Sequence, residues 1–149
     1  MGTSEAVGIA AALCREFEGF YARPYLCPAG VPTQGYGTIR RPDGTPITLD
    51  AEPIDKETAE LWLQDELGKL LPAVLAASPG LVSYPARLGA ILSFCYNLGI
   101  GRYRASTLRK RVNAYDWAGA RQQINRWVRG GGKVLNGLIR RRAAEAALL

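Results

Sequence analysis

The sequence predicts an α+β domain, mainly α-helical, with a small antiparallel β-sheet in its first third and a larger helical part after it. Two observations carry this. Apolar residues recur at helical spacing in three runs, over residues 6–17, 59–74 and 88–98. Between the first two runs the pattern shortens to β-favouring stretches broken by the glycines and prolines of residues 19–46.

Ser4 is placed to cap the first helix, which runs to about Phe17 with Val7, Ala10, Ala11, Leu13, Cys14 and Phe17 on its apolar side and Gly19 as its left-handed stop. Glu18 then falls in the last turn, where the partial negative charge of the helix end disfavours ionisation. Shielding by Phe17, Phe20 and Tyr21 would act in the same direction, which suits a general acid near neutral pH. A solvated surface acid is the commoner occupant of such a position.

Short β-favouring runs at 33–40 and 46–49 flank Pro42-Asp43-Gly44, a hairpin signal. Asp55 can cap the next helix, whose stripe of Ala59, Trp62, Leu63, Leu67, Leu70, Leu71 and Val74 ends at Pro79-Gly80. Pro85 suits the first turn of a third helix, with Leu88, Ile91, Leu92, Cys95 and Leu98 as its core stripe and Gly99 as its end. Shorter helices are predicted from Ser106 to Ala114 and from Asp116 to Val128, each with a capping residue at its start. Gly130-Gly131-Gly132 breaks the pattern. The last helix, from about Leu138 to Leu148, carries Arg141 four residues before Glu145, the spacing of a surface ion pair.

With 149 residues there is room for one core, so residues 1–149 are expected to form a single domain. A hydrophobic content of 48% and a charged content of 21% are those of a soluble globular protein. The net charge of +6 implies an anionic partner, and by itself admits nucleic acid, membrane or wall polymer. Three cysteines leave at least one free in a monomer, and the absence of histidine removes the Ser-His and Cys-His nucleophile pairs and makes a zinc site improbable. The apolar run from Ala6 to Leu13 is far shorter than a membrane span and lacks a basic flank, so neither a complete signal peptide nor a transmembrane segment is expected.

Glu18-Gly19, then Cys27 nine positions after the acid, Thr33 six further on and Gly35-Tyr36-Gly37 form one spaced pattern. It resembles the signature of the phage-type lysozymes, or endolysins, of glycoside hydrolase family 24, whose second position is usually aspartate and sometimes cysteine. Ser93-Phe94-Cys95-Tyr96-Asn97-Leu98-Gly99, Ser106-Thr107-Leu108, Trp127, Gly131-Gly132-Lys133, Gly137-Leu138 and Arg141-Arg142 with Glu145 resemble the same family's distal half. The resemblance implies a small sheet lobe and a helical lobe joined by a long helix, with the active-site cleft between them. It also implies a cofactor-free enzyme acting on bacterial peptidoglycan. Such an enzyme is made in the bacterial host cytoplasm and acts in the periplasm or cell wall, as a monomer with no obligate protein or nucleic-acid partner.

Glycosidic cleavage usually takes an acid for the leaving oxygen and a second group, commonly a carboxylate. Glu18 supplies the first. Cys27 stands where the family usually has aspartate; as a thiolate it could activate water or attack directly, with Thr33 positioning the water. Asn97 and Ser106 are candidates for sugar hydroxyls, although helix termination explains both nearly as well. By the resemblance an arginine of the late cluster holds Glu18, with Arg141 preferred over Arg140 and Arg142. Two other readings stay open: a lytic transglycosylase using Glu18 alone, and a non-catalytic basic binding protein.

Overall fold

The computed structural model describes residues 2–149. Its long helices are α1 (Gly2–Glu18), α2 (Lys56–Ala77) and α3 (Pro85–Leu98), with α4 (Ile100–Arg104), α5 (Thr107–Asn113), α6 (Trp117–Ile124) and α7 (Asn136–Ala146) following. Strands β1 (Tyr21–Leu26) and β2 (Pro32–Gly35) form one antiparallel pair, and β3 (Arg129–Gly130) with β4 (Lys133–Val134) a second.

Helix α3 is the centre of the helical lobe, with every residue from Leu88 to Cys95 buried, so it is enclosed on all sides rather than along one stripe. It packs most extensively on α1, and Gly89 sets how closely. A Cβ on Gly89 would lie 2.7 Å from Ile9 Cγ2 and 3.1 Å from the Ala6 carbonyl oxygen, so the absence of a side chain permits the approach. Helix α2 begins where Asp55 Oδ1 accepts a hydrogen bond from Thr58 N at 2.7 Å, and it touches β2 as well as α3 and α4. It therefore joins the sheet to the helical lobe, as the resemblance implies.

Three local expectations are corrected. Ser4 is not a cap; α1 is already helical at Gly2, and Ser4 lies exposed within it. The turn at 42–44 forms, with Gly44 N donating to Arg41 O at 2.9 Å and Asp43 Oδ1 accepting from Thr45 N at 2.9 Å, but its flanks share only an isolated bridge between Arg40 and Pro46. Residues 32–35 pair backward onto Tyr21–Leu26 instead, and the chain then turns tightly, with Gly35 at φ +68 and Gly37 at φ +78. Helix α6 stops at Ile124 rather than Val128, since Gly130 to Gly132 do more than interrupt a helix. Gly131 and Gly132, at φ +59 and +79, form the two-residue turn of the β3–β4 hairpin, a geometry that needs positive φ at both positions.

Candidate active site

Glu18 ends α1, and Gly19 at φ +72 turns the chain away, its N donating to Arg15 O at 3.2 Å. The carboxylate side chain is 18% exposed, and Arg141 Nη1 donates to its Oε2 at 2.5 Å. Of the three aromatic residues expected to shield Glu18, Phe17 and Phe20 are partly buried and Tyr21 is 46% exposed. What the acid faces is a guanidinium. On another side it is walled by backbone, because a Cβ on Gly37 would sit 2.5 Å from Glu18 Oε1.

Arg141 is itself buried. Its Nη2 donates to the Ser93 carbonyl at 3.2 Å and to Cys14 Sγ at 3.4 Å, and its Nε lies 3.4 Å from Glu145 Oε2. Ser93 Oγ donates to the same Glu145 oxygen, and Arg142 Nη2 donates to Asn97 Oδ1 at 2.7 Å. The Arg141–Glu145 pair is thus a core ion pair, 2% and 0% exposed, and not the surface pair that its spacing suggested. The face of α7 that carries residues 141, 142 and 145 meets α1 and α3, and there the two buried guanidiniums flank the Glu145 carboxylate, with Arg142 Nε 2.9 Å from its Oε1, so each charge is buried beside an opposite one. Burial pushes the Cys14 thiol up to about 12, with Arg141 opposing and Glu18 and Glu145 adding to the rise. Burial likewise raises the Glu145 carboxyl, against the pull of Arg142 and Arg141.

Cys27 is partly buried in the turn after β1, and Thr33 is 3% exposed on β2. One carbonyl ties them together: Val31 O accepts from Cys27 N at 3.1 Å and from Thr33 Oγ1 at 2.8 Å. Gly30, at φ +77, closes the turn by donating to Cys27 O at 2.8 Å. From the other lobe the β3–β4 hairpin reaches the same turn, because a Cβ on Gly131 would lie 2.9 Å from the Pro28 carbonyl oxygen. The hairpin tip therefore rests beside Cys27.

Asn97 sits at the end of α3 with its Oδ1 taken by Arg142, while its amide hydrogens are uncommitted by that bond. Ser106 is 6% exposed and serves as the α5 cap, accepting from Arg109 N at 3.0 Å while donating to Tyr103 O at 2.6 Å. Ser93, Glu145 and Gly37 were not singled out from the sequence as supports of Glu18. Glu66 on α2 was also missed; burial pushes its carboxyl up to about 7, with Lys69 opposing and Asp65 and Glu18 adding to the rise. Among the described residues no group of three or more His, Cys, Asp and Glu could hold a metal ion, and no helix is long and apolar enough to cross a membrane.

The phage lysozyme family profile matches residues 15–145. Over 86% of its length the chain is 47% identical to a SAR-endolysin of Bacteriophage PS119, covering 73% of that protein. It is 32% identical to an endolysin of Bacillus phage B103 over 91% of its own length and 50% of the relative's, so it spans about half the length of that protein. Among solved structures, the endolysin from Escherichia coli O157:H7 phage FAHEc1 superposes with a TM-score of 0.80 at 33% identity, covering 94% of this chain and 89% of that one. A profile matched from α1 to α7 and a shared two-lobed fold lead to one conclusion: this chain belongs to the phage lysozyme family.

Proposed function

We propose that the chain is a peptidoglycan hydrolase that cuts the β-1,4 bond between N-acetylmuramic acid and N-acetylglucosamine, with Glu18 as the general acid. The observation that carries this is the buried Arg141 guanidinium set against a carboxylate that is still 18% exposed. An acid that gives its proton to the leaving oxygen becomes a carboxylate, and a fixed guanidinium beside it stabilises the charge as it forms. Because Ser93, Cys14 and Glu145 hold Arg141 in place, that stabilisation needs little reorganisation during the reaction.

The second half of the reaction falls to Cys27 and Thr33. Thr33 Oγ1 donates to Val31 O, which leaves its lone pairs available to accept from a water molecule. Cys27, one turn away on the same carbonyl, takes a proton from that water or attacks the sugar as thiolate. Asn97 offers its amide hydrogens to sugar hydroxyls, whereas Ser106 is left to its cap. The net charge of +6 draws the protein to the anionic wall.

Digestion of purified peptidoglycan, followed by mass analysis of the fragments, tests this. Hydrolysis gives new reducing ends at unmodified mass, and Glu18→Gln abolishes them. Products dominated by 1,6-anhydromuramic ends, lighter by one water, would overturn it in favour of a lytic transglycosylase. Salt-sensitive polymer binding without any cleavage would overturn it in favour of a binding protein.

A further inference from the structure

Two side chains four residues apart on a regular strand stand about 13 Å from one another. The ring centroids of Tyr21 and Tyr25, both on β1, are 4.2 Å apart with their planes inclined by 36°. The strand makes this possible by slipping its register between the two residues, where Pro24 also lies. The slip is pinned from outside: the Ala22 carbonyl within it accepts from Ile54 N at 3.0 Å and from Nε2 of the wholly buried Gln34 at 2.9 Å. A register slip so anchored re-aims side chains, as irregularities in strands beside active sites often do.

What it aims is a pair of rings at the candidate site. Tyr25 is the cross-strand partner of Thr33, so the two side chains lie on one face of the pair, and the Cys27 turn begins two residues further on. Tyr21, 46% exposed, carries the stack out to solvent. Burial pushes the Tyr25 hydroxyl up to about 12, and Glu18, Tyr21 and Cys27 act in the same direction. The phenol therefore remains a neutral hydrogen-bond donor through the neutral range.

We propose that the stacked Tyr21 and Tyr25 rings are a platform for one N-acetylhexosamine ring at the scissile bond, and that the Tyr25 hydroxyl hydrogen-bonds that sugar beside Glu18 and Cys27. The inference rests on the wall-hydrolase reading. The apolar face of a pyranose packs on an aromatic face, and tyrosine combines such a face with a polar tip at the wet end of a cleft.

Steady-state release of reducing ends from peptidoglycan, with melting temperatures alongside, separates the two contributions. Tyr25→Phe keeps the stack but loses the hydroxyl, so kcat falls about tenfold while KM stays within about twofold. Tyr21→Ala shortens the platform, so KM rises about fivefold with kcat nearly kept. Folded Tyr25→Phe and Tyr21→Ala proteins with the parent's kcat and KM would overturn the platform. A purely structural role would lower the melting temperature without this split, and would overturn it too. Intrinsic fluorescence titration of the Glu18→Gln protein with tri-N-acetylglucosamine reads the platform independently of cleavage. Adding Tyr21→Ala to that protein weakens binding about fivefold if the platform exists, even where the hydrolase reading fails. Unchanged binding would overturn the platform alone.

Discussion

The Cα of Gly37 lies against the Glu18 carboxylate, so that a methyl group there would sit 2.5 Å from Oε1 and 2.6 Å from Cδ. Gly37 also has φ +78, where side-chain-bearing residues are strained. Gly37→Ala is therefore expected to displace the carboxylate from Arg141 and to destabilise the fold by about 1–3 kcal/mol. Urea unfolding checks the stability, and turbidity loss on permeabilised bacteria at a temperature where the variant stays folded checks the activity. Full activity would show that the position of the Glu18 carboxyl is not critical.

Arg141 answers to Glu18, Glu145, Ser93 and Cys14 at once. Arg141→Ala leaves carboxylates at a largely buried site without their partner and should lower stability by about 3–5 kcal/mol. Arg141→Lys keeps a charge but not the planar fork, so it should fold while losing most of the activity. Arg129 is exposed, and Arg129→Ala should do much less harm. Comparable losses for Arg141→Lys and Arg129→Ala would reduce both arginines to bulk attraction for the wall.

These residues also mark what was legible in the sequence. Asp55, Ser106 and Asp116 cap helices through bonds to residues three further on, and Pro85 and Gly99 bound α3; such signals are local and were readable. The pairing of Arg141 with Glu18 came from the family pattern, since nothing between residues 18 and 141 encodes it locally. Burial of Arg141 and Glu145 was not legible, because a four-residue spacing is the same on a wet helix face and a packed one. The register slip in β1 was not legible for a similar reason, being held by Gln34 and Ile54 from other parts of the chain. Gly37 and Gly131 read as turn residues, yet each also admits a neighbour that only the tertiary fold supplies.

Glu66 gives stability a pH dependence with a definite sign. Its folded value of about 7 lies above the ordinary 4.5, so the folded state favours the protonated acid. That contribution is complete below about pH 4.5 and is lost as pH rises through about 7. Glu66→Gln should flatten the stability profile between pH 5 and 8 and leave the variant more stable than the parent at pH 8 by roughly 2–3 kcal/mol. Urea unfolding across this range checks it. Parallel profiles for parent and variant would show that Glu66 does not titrate there.

Gly131 and Gly132 form a matched pair for testing the hairpin. Both have positive φ, but a Cβ on Gly131 meets the Pro28 carbonyl whereas one on Gly132 meets nothing within 4 Å. Gly131→Ala and Gly132→Ala should therefore share a backbone strain of about 1 kcal/mol, and only the first should push the hairpin off the Cys27 turn. Lower wall-lytic activity in Gly131→Ala than in Gly132→Ala, measured where both stay folded, is the expected result. Equal activities would mean that the contact with Pro28 does not influence the site.

Cys27 is where this chain carries cysteine rather than the family's usual aspartate, and its link to Thr33 through the Val31 carbonyl makes the substitution testable without disturbing the turn. The turn is held by the backbone N and O of Cys27, so changing its side chain leaves those bonds in place. Under the proposed mechanism Cys27→Asp should remain active, since it supplies the carboxylate that usually accompanies the acid in glycosidic cleavage. Cys27→Ala should lose most of the activity, and Cys27→Ser should fall near alanine if the thiolate is required, because a hydroxyl is far harder to ionise. Alkylation offers a second route to the same question: Cys14 and Cys95 are buried with both thiols raised to about 12, so the partly exposed Cys27 is the thiol within reach of a neutral-pH reagent. Activity should fall in step with modification of Cys27, followed by peptide mapping. A folded Cys27→Ala protein at parent activity would take the thiol out of the mechanism and leave Glu18 with a Thr33-held water to complete the cleavage.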